Sequence, residues 1–214
     1  MGELLKRVFG APRHGTDGGV RIEQVAADPV LERVVNDVFA QIEQAERQRG
    51  PAPLSSTGAA QVQAQTRALI DLPEQQRVLW VDERPEGNRL EAAALAKLQI
   101  EVVIARSTDE AMQIVADDSE AFSLVISDWE RPGEPAPAGL HLLARLRQVG
   151  IHWPLVFYHG ANAAQRSQRA DQARAAGALG EAVLPSELMA LVAQAFRPGP
   201  PQTRRSDPPA RPSP

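Results

Sequence analysis

Two short apolar runs in this chain end on carboxylates. Val78-Leu79-Trp80-Val81 leads into Asp82 and Glu83, and Leu124-Val125-Ile126-Ser127 leads into Asp128. Clustered carboxylates repel one another, which raises their proton affinity unless a cation is shared among them. A hard divalent ion such as Mg²⁺ takes oxygen ligands of this kind. Asp is also a common strand terminator and helix cap, so the three acids by themselves fit an ordinary pair of strand ends as well as a site. Other chemistry is poorly provided for. The chain has no cysteine, which removes disulfides, zinc knuckles and thiol nucleophiles and suits a reducing compartment. It contains no Ser-His-Asp arrangement, Walker loop or GxGxxG. His141 falls on a predicted helix after Gly139, and His152 precedes a predicted strand, neither in a catalytic arrangement.

The elements that carry the acids follow from the pattern after Arg77. VLWVD, IEVVIA, FSLVISD, PLVFYH and EAVL read as five strands. They alternate with five helical stretches: RLEAAALAKL, TDEAMQIVADD, AGLHLLARLRQ, AAQRSQRADQARAAG and SELMALVAQAF. Continuous apolar strands separated by helices imply a parallel sheet covered on both faces, because each crossover helix must bury its apolar stripe. The prediction is an α/β, flavodoxin-like, doubly wound five-stranded sheet over residues 77–197. In such sheets chemistry lies beyond the carboxyl ends of the strands, at the topological switch point. Asp82, Glu83 and Asp128 fall there. Trp80 and Trp129 read as packing residues.

The flanks read differently. Residues 1–27 hold a short amphipathic stretch and a Gly-rich segment, and a flexible start is expected. Residues 28–76 read as a helical extension: Asp28 and Pro29 form an N-cap and first helical residue, and a helix runs to about Arg49. Its apolar positions Leu31, Val35, Val38, Ile42 and Ala45 alternate in spacings of four and three, a seam for another helix. The seam serves either a homodimer or the docking of a partner, or else packing on the chain's own central domain, since about two heptads do not specify a coiled coil. A second, weaker helix, AAQVQAQTRALI, leads to Pro73. Residues 198–214 hold 7 of the 18 prolines together with Arg204, Arg205 and Arg211, and a disordered Pro-rich tail is expected.

Charge narrows the partners. The net charge of −4 lies entirely within 77–197, where 16 Asp and Glu outnumber 12 Lys and Arg. Phosphate backbones are neutralised by basic stripes, so direct nucleic-acid binding is not expected. The start MGELLKRVFG is too short an apolar stretch for a signal peptide, and no run of about 18 apolar residues suggests a membrane span. A cytoplasmic protein is expected.

The order of residues resembles the response-regulator receiver family (CheY-like). Asp82 and Glu83 resemble the acidic pair that holds the metal there, and Asp128 matches the aspartate that accepts a phosphoryl group. Pro132-Gly133 follow it at the family's usual distance. Gly139-Leu140 resemble the turn into the next helix, with about three extra residues before it, and Gly177 to Pro185 match the stretch around strand five. The resemblance implies a magnesium-dependent phosphoprotein of two-component phosphorelay signalling. Asp128 would take the group from a partner histidine kinase, and a downstream protein would receive the signal. The main-chain carbonyl of Glu130 would be a further metal ligand.

Two positions depart from the family. His159 stands where the family places a Ser or Thr at the end of strand four, and Leu184 stands where it places a Lys before the strand-five proline. Leucine offers neither charge nor hydrogen-bond donor. His159 could donate to phosphoryl oxygens or simply cap a strand end, and Arg131 is a second candidate to reach such a group. The family's aromatic switch on strand five has no counterpart in EAVL. Three functions follow: a phosphorylatable receiver, a pseudo-receiver that acts only by binding a partner, and, as a distant third, a phosphatase or other hydrolase on this fold. The first two are not enzymes acting on a separate substrate.

Overall fold

A computed structural model of the chain describes residues 28–50, 53–72, 74–117, 122–160 and 163–197. The segments expected to be flexible at the start and Pro-rich at the end lie outside the described residues.

Helix α1 (Pro29–Arg49) begins where the sequence signals it: the Asp28 side chain accepts the Val30 N–H at 2.8 Å, and Pro29 has no N–H to lose. Helix α2 (Ser56–Ile70) begins three residues earlier than expected, because Ser55 caps it by accepting the Gly58 N–H at 3.1 Å. Five strands follow, β1 (Arg77–Val81), β2 (Glu101–Ala105), β3 (Leu124–Ser127), β4 (Leu155–Tyr158) and β5 (Gly180–Ala182). Between and after them run α3 (Arg89–Lys97), α4 (Thr108–Asp117), α5 (Ala138–Gln148), α6 (Ala163–Ala175) and α7 (Pro185–Ala195).

All strand pairs are parallel, in the order β2-β1-β3-β4-β5. This is the flavodoxin-like doubly wound arrangement. Side chains alternate across each strand, which divides the core in two. Val78, Trp80, Ile126 and Tyr158 meet α3 and α7, whereas Leu79, Val81, Val125 and Phe157 meet α4, α5 and α6. From β1 the chain crosses outward to β2 and then returns to β3 on β1's other side, so the switch point lies between β1 and β3. Val81 pairs with Ser127 across that gap. The residues that follow, Asp82 and Asp128, therefore leave the sheet side by side.

The seam of α1 is occupied by the chain itself. Val35, Val38 and Ile42 are completely buried and α1 packs on α3 and α7, with α2 lying against α7 and α1. Val38, Ile42, Val62 and Leu69 join Leu95, Leu188 and Val192 in one core. This corrects the homodimer reading of the seam: a second copy would have to displace apolar contacts already made, each worth about 1.5–3 kcal/mol for a fully buried Val or Ile.

Candidate functional site

The carboxyl edge of β1 and β3 gathers Asp82, Glu83 and Asp128, with one carboxylate oxygen of each within 4.8 Å of the others. The register explains the proximity. The Asp128 N–H donates to the Val81 carbonyl at 3.0 Å, continuing the ladder for one residue beyond β3. Gly139 secures the other side. A Cβ there would fall 2.6 Å from both the Asp128 carbonyl oxygen and Phe157 Cε1, so only glycine lets the start of α5 approach this closely.

Each carboxylate is held differently. Asp82 Oδ1 accepts the Arg84 N–H at 2.7 Å, and its Oδ2 accepts from Asn88 Nδ2 at 2.6 Å. Glu83 Oε1 faces Arg84 Nε at 3.1 Å, while its Oε2 is buried and has no hydrogen-bond partner among the described residues. Asp128 Oδ1 accepts the Trp129 N–H at 2.6 Å. Burial, and after it the charge of Asp82, pushes the Asp128 carboxyl up to about 6. A buried carboxylate oxygen without a donor, beside two more carboxylates, is a hard-oxygen donor set suited to a divalent cation. The group opens into a cleft of about 430 Å³ that Arg49, Arg84, Asn88, Tyr158 and His159 also line.

The other residues singled out in the sequence are distributed around this edge. Glu130 turns its side chain to Arg169, at 2.7 Å. Leu184 is the N-cap of α7, and its N–H donates to Glu187 Oε2 at 3.2 Å. His159 is buried. Its Nε2 lies 2.8 Å from Glu181 Oε1 on β5, a hydrogen-bond distance without hydrogen-bond alignment, and its Nδ1 faces the Gly160 carbonyl and Arg169, each at 3.2 Å. Burial holds the imidazole down at about 4 and pushes the Glu181 carboxyl up. Both shifts oppose an ion pair, so the contact joins an imidazole of lowered proton affinity to a carboxyl group of raised proton affinity.

Arg131 does not reach toward a group on Asp128. Only 3% exposed, it donates to Ser127 Oγ and Thr108 Oγ1 at 2.8 Å each, to the Ala138 carbonyl at 3.1 Å, and to Glu134 Oε1 at 3.0 Å. A buried guanidinium must satisfy its donors inside the protein, and here it does so by pinning the β3–α5 loop. Trp80 and Trp129 are packing residues, the latter edge-on to Phe157 with centroids 4.9 Å apart.

Four residues of this edge were not singled out from sequence: Arg49, Asn88, Glu91 and Glu181. Arg49 carried a usable signal, since it continues the spacing of Ile42 and Ala45 and so places a cation on a stripe that is otherwise apolar. Asn88 and Glu91 sit on the first turns after the acidic pair and carried none.

No family model matches the chain, and no curated protein matches it. Among solved structures it is similar to a response-regulator receiver domain protein from Clostridium thermocellum, with 19% identity, 56% of this chain and 94% of that one covered, and a TM-score of 0.48. A Francisella response-regulator receiver domain matches at 17% identity over 57% of this chain and 97% of that one, with a TM-score of 0.49. A chemotaxis response regulator of Vibrio cholerae matches at 21% identity over 58% of this chain and all of that one, with a TM-score of 0.46. The assignment of the fold itself rests on the strand order and crossovers described above. No helix among the described residues is long and apolar enough to cross a membrane.

Proposed function

We propose that this chain is a receiver of two-component signalling that accepts a phosphoryl group on Asp128. The observation that carries the reading is the convergence of Asp82, Glu83 and Asp128 at the β1/β3 switch point. In the transfer, an Asp128 oxygen attacks the phosphorus of a phosphohistidine on a partner kinase. An O–P bond forms, the N–P bond breaks, and its electron pair leaves with the imidazole nitrogen, which takes up a proton. With its carboxyl held near 6, Asp128 is mostly ionised at neutral pH and able to attack. Trp129 orients it through the backbone N–H. Mg²⁺ held by Asp82, Glu83 and Asp128, with the Glu130 carbonyl as a further ligand by family resemblance, would neutralise charge on the transferring oxygens. The chain is its own acceptor and turns over no separate substrate, and a downstream protein in the cytoplasm reads the result.

Incubation with Mg²⁺ and acetyl phosphate tests this by intact mass. The reading expects an adduct of about 80 Da, the mass of the added phosphoryl group, that Asp128→Asn abolishes. A second reading, a pseudo-receiver that acts by partner binding alone, is favoured by His159 and Leu184. These fill the positions where the family offers a hydroxyl and an ammonium, and the His159 nitrogens face Glu181, Gly160 and Arg169. Absence of the adduct selects that reading. Asp128-dependent turnover of a phosphate ester would instead select a hydrolase.

A further inference from the structure

The acidic cleft contains a cation that the sheet domain does not supply. Arg49, the last residue of α1, lines it with Asp82, Glu83 and Asp128. Its Nε donates to Glu91 Oε1 at 3.2 Å and its Nη2 donates to Asn88 Oδ1, while the guanidinium lies over the Tyr158 ring, 4.2 Å from the centroid. Both hydrogen-bond partners are themselves held: Asn88 by Asp82, and Glu91 by the Tyr158 hydroxyl at 2.6 Å. The same turn of α1 is fastened to α7, because Glu46 Oε1 accepts the Ser186 N–H at 2.9 Å.

The neighbouring arginines are placed otherwise. Arg84 has 82% of its side chain exposed and pairs with Glu83, Arg169 pairs with Glu130, and Arg131 is consumed inside the loop. Arg49 has 22% of its side chain exposed and is oriented by three groups. A cation already oriented needs little reorganisation when an anion arrives.

We infer that Arg49 is the phosphoryl-binding cation of this cleft, and that through it α1 senses whether Asp128 is loaded. The inference rests on the reading of Asp128 as the acceptor. Loading replaces the singly charged Asp128 carboxylate by an acyl phosphate of about −1.5 to −2, which leaves up to about one further negative charge in a cleft that also holds Asp82 and Glu83. The planar guanidinium fork matches phosphoryl oxygens. Because coupling is reciprocal, whatever a docked α1 contributes to holding the group, the group contributes to holding α1 docked. The helical extension is thus the element whose stability reports the state of the site.

The full-length chain is titrated with beryllofluoride in Mg²⁺, a mimic of the aspartyl phosphate, and separately with Mg²⁺ alone. Arg49→Gln is expected to weaken beryllofluoride binding about ten-fold or more and to tighten Mg²⁺ alone, since a cation that lines the same cleft as the carboxylates has been removed. These opposite signs separate an electrostatic role from a structural one, which would weaken both. Arg49→Lys should recover part of the beryllofluoride affinity. In the wild type, amide hydrogen exchange over residues 42–49 should slow on loading, and this measurement decides the matter if the variants do not fold. Beryllofluoride binding unchanged by Arg49→Gln, equal weakening of both probes, or unchanged exchange in α1 overturns the assignment of Arg49. A wild-type chain that takes up no beryllofluoride removes the reading of Asp128, and the role of Arg49 with it.

Discussion

Arg49, which ends α1, stacks its guanidinium 4.2 Å from the ring centre of Tyr158, which ends β4. A cation over an aromatic face is attracted by the ring quadrupole, most strongly where water is kept away, and Tyr158 is buried. Burial raises the phenol's proton affinity, so the Tyr158 hydroxyl stays a donor to Glu91. The helical extension and the carboxyl edge of the sheet are therefore a single structure.

If α1 belongs to the core, damage to it must unfold the whole. Ile42 is completely buried among residues of α1, α3 and α7. Ile42→Ala should lower the free energy of unfolding by about 2–5 kcal/mol. The transition should stay single by circular dichroism and tryptophan fluorescence. An early separate transition, with the sheet left intact, would show that α1 is only an appendage.

The strands and crossovers were legible because continuous apolar runs and amphipathic stretches alternate without interruption after Arg77, and Asp82, Glu83 and Asp128 were legible because they directly follow two of those runs. Two kinds of feature were hidden. The first depends on distant packing: nothing local says that Arg49 meets Tyr158, or that Val38 faces the chain's own α3 and α7 in place of a second copy. The second is buried polarity. Glu181 reads as the polar start of a strand, yet β5 begins one residue earlier, at Gly180. A Cβ there would come within 2.9 Å of Leu191 Cδ2, so α7 lies tight on β5 there. Burial of a glutamate with a histidine is a tertiary outcome that no local pattern signals.

The acid cluster is held at a cost in stability. In metal-free buffer near pH 7, Asp128 is ionised at a place where burial and Asp82 oppose its charge. Asp128→Asn removes that charge and keeps the shape. It should raise stability by about 1–3 kcal/mol, since one pKa unit corresponds to about 1.4 kcal/mol. Mg²⁺ should narrow the difference by stabilising the wild type alone. Thermal melts of both proteins with and without Mg²⁺ measure this, and a variant less stable than the wild type in chelator would count against the repulsion.

Glu134 behaves in the opposite way. Burial opposes its ionisation, but donors from Arg131 and Thr108 more than offset this and hold the carboxyl at about 2. Because the folded value lies below the ordinary 4.5, the stability it contributes is complete above that value and disappears as pH falls from about 4.5 toward 2. Glu134→Gln leaves the Arg131 charge buried without its partner and should cost about 3–5 kcal/mol at pH 7. Urea unfolding at several pH values should show the gap between variant and wild type shrinking below pH 4. A gap that is constant down to pH 2 would assign the loss to packing.

His159 lines the acidic cleft, yet it should not act as a sensor near neutral pH. Burial first, then the nearby Arg169, holds the imidazole at about 4 in the folded protein against an ordinary 6.5, with the Gly160 carbonyl opposing them. A depressed folded value means that the unfolded chain binds the proton first as pH falls. His159 thus contributes stability above about 6.5 that is lost as pH drops toward 4. Its ring resonances, followed by NMR, should stay at their neutral positions from pH 8 to pH 5.5. Beryllofluoride affinity should show the same pH dependence from 6 to 8 in the wild type and in His159→Gln. A His159 titration centred near 6.5 would mean that Glu181 stays ionised beside it, and the pair would then be a charged strap between β4 and β5.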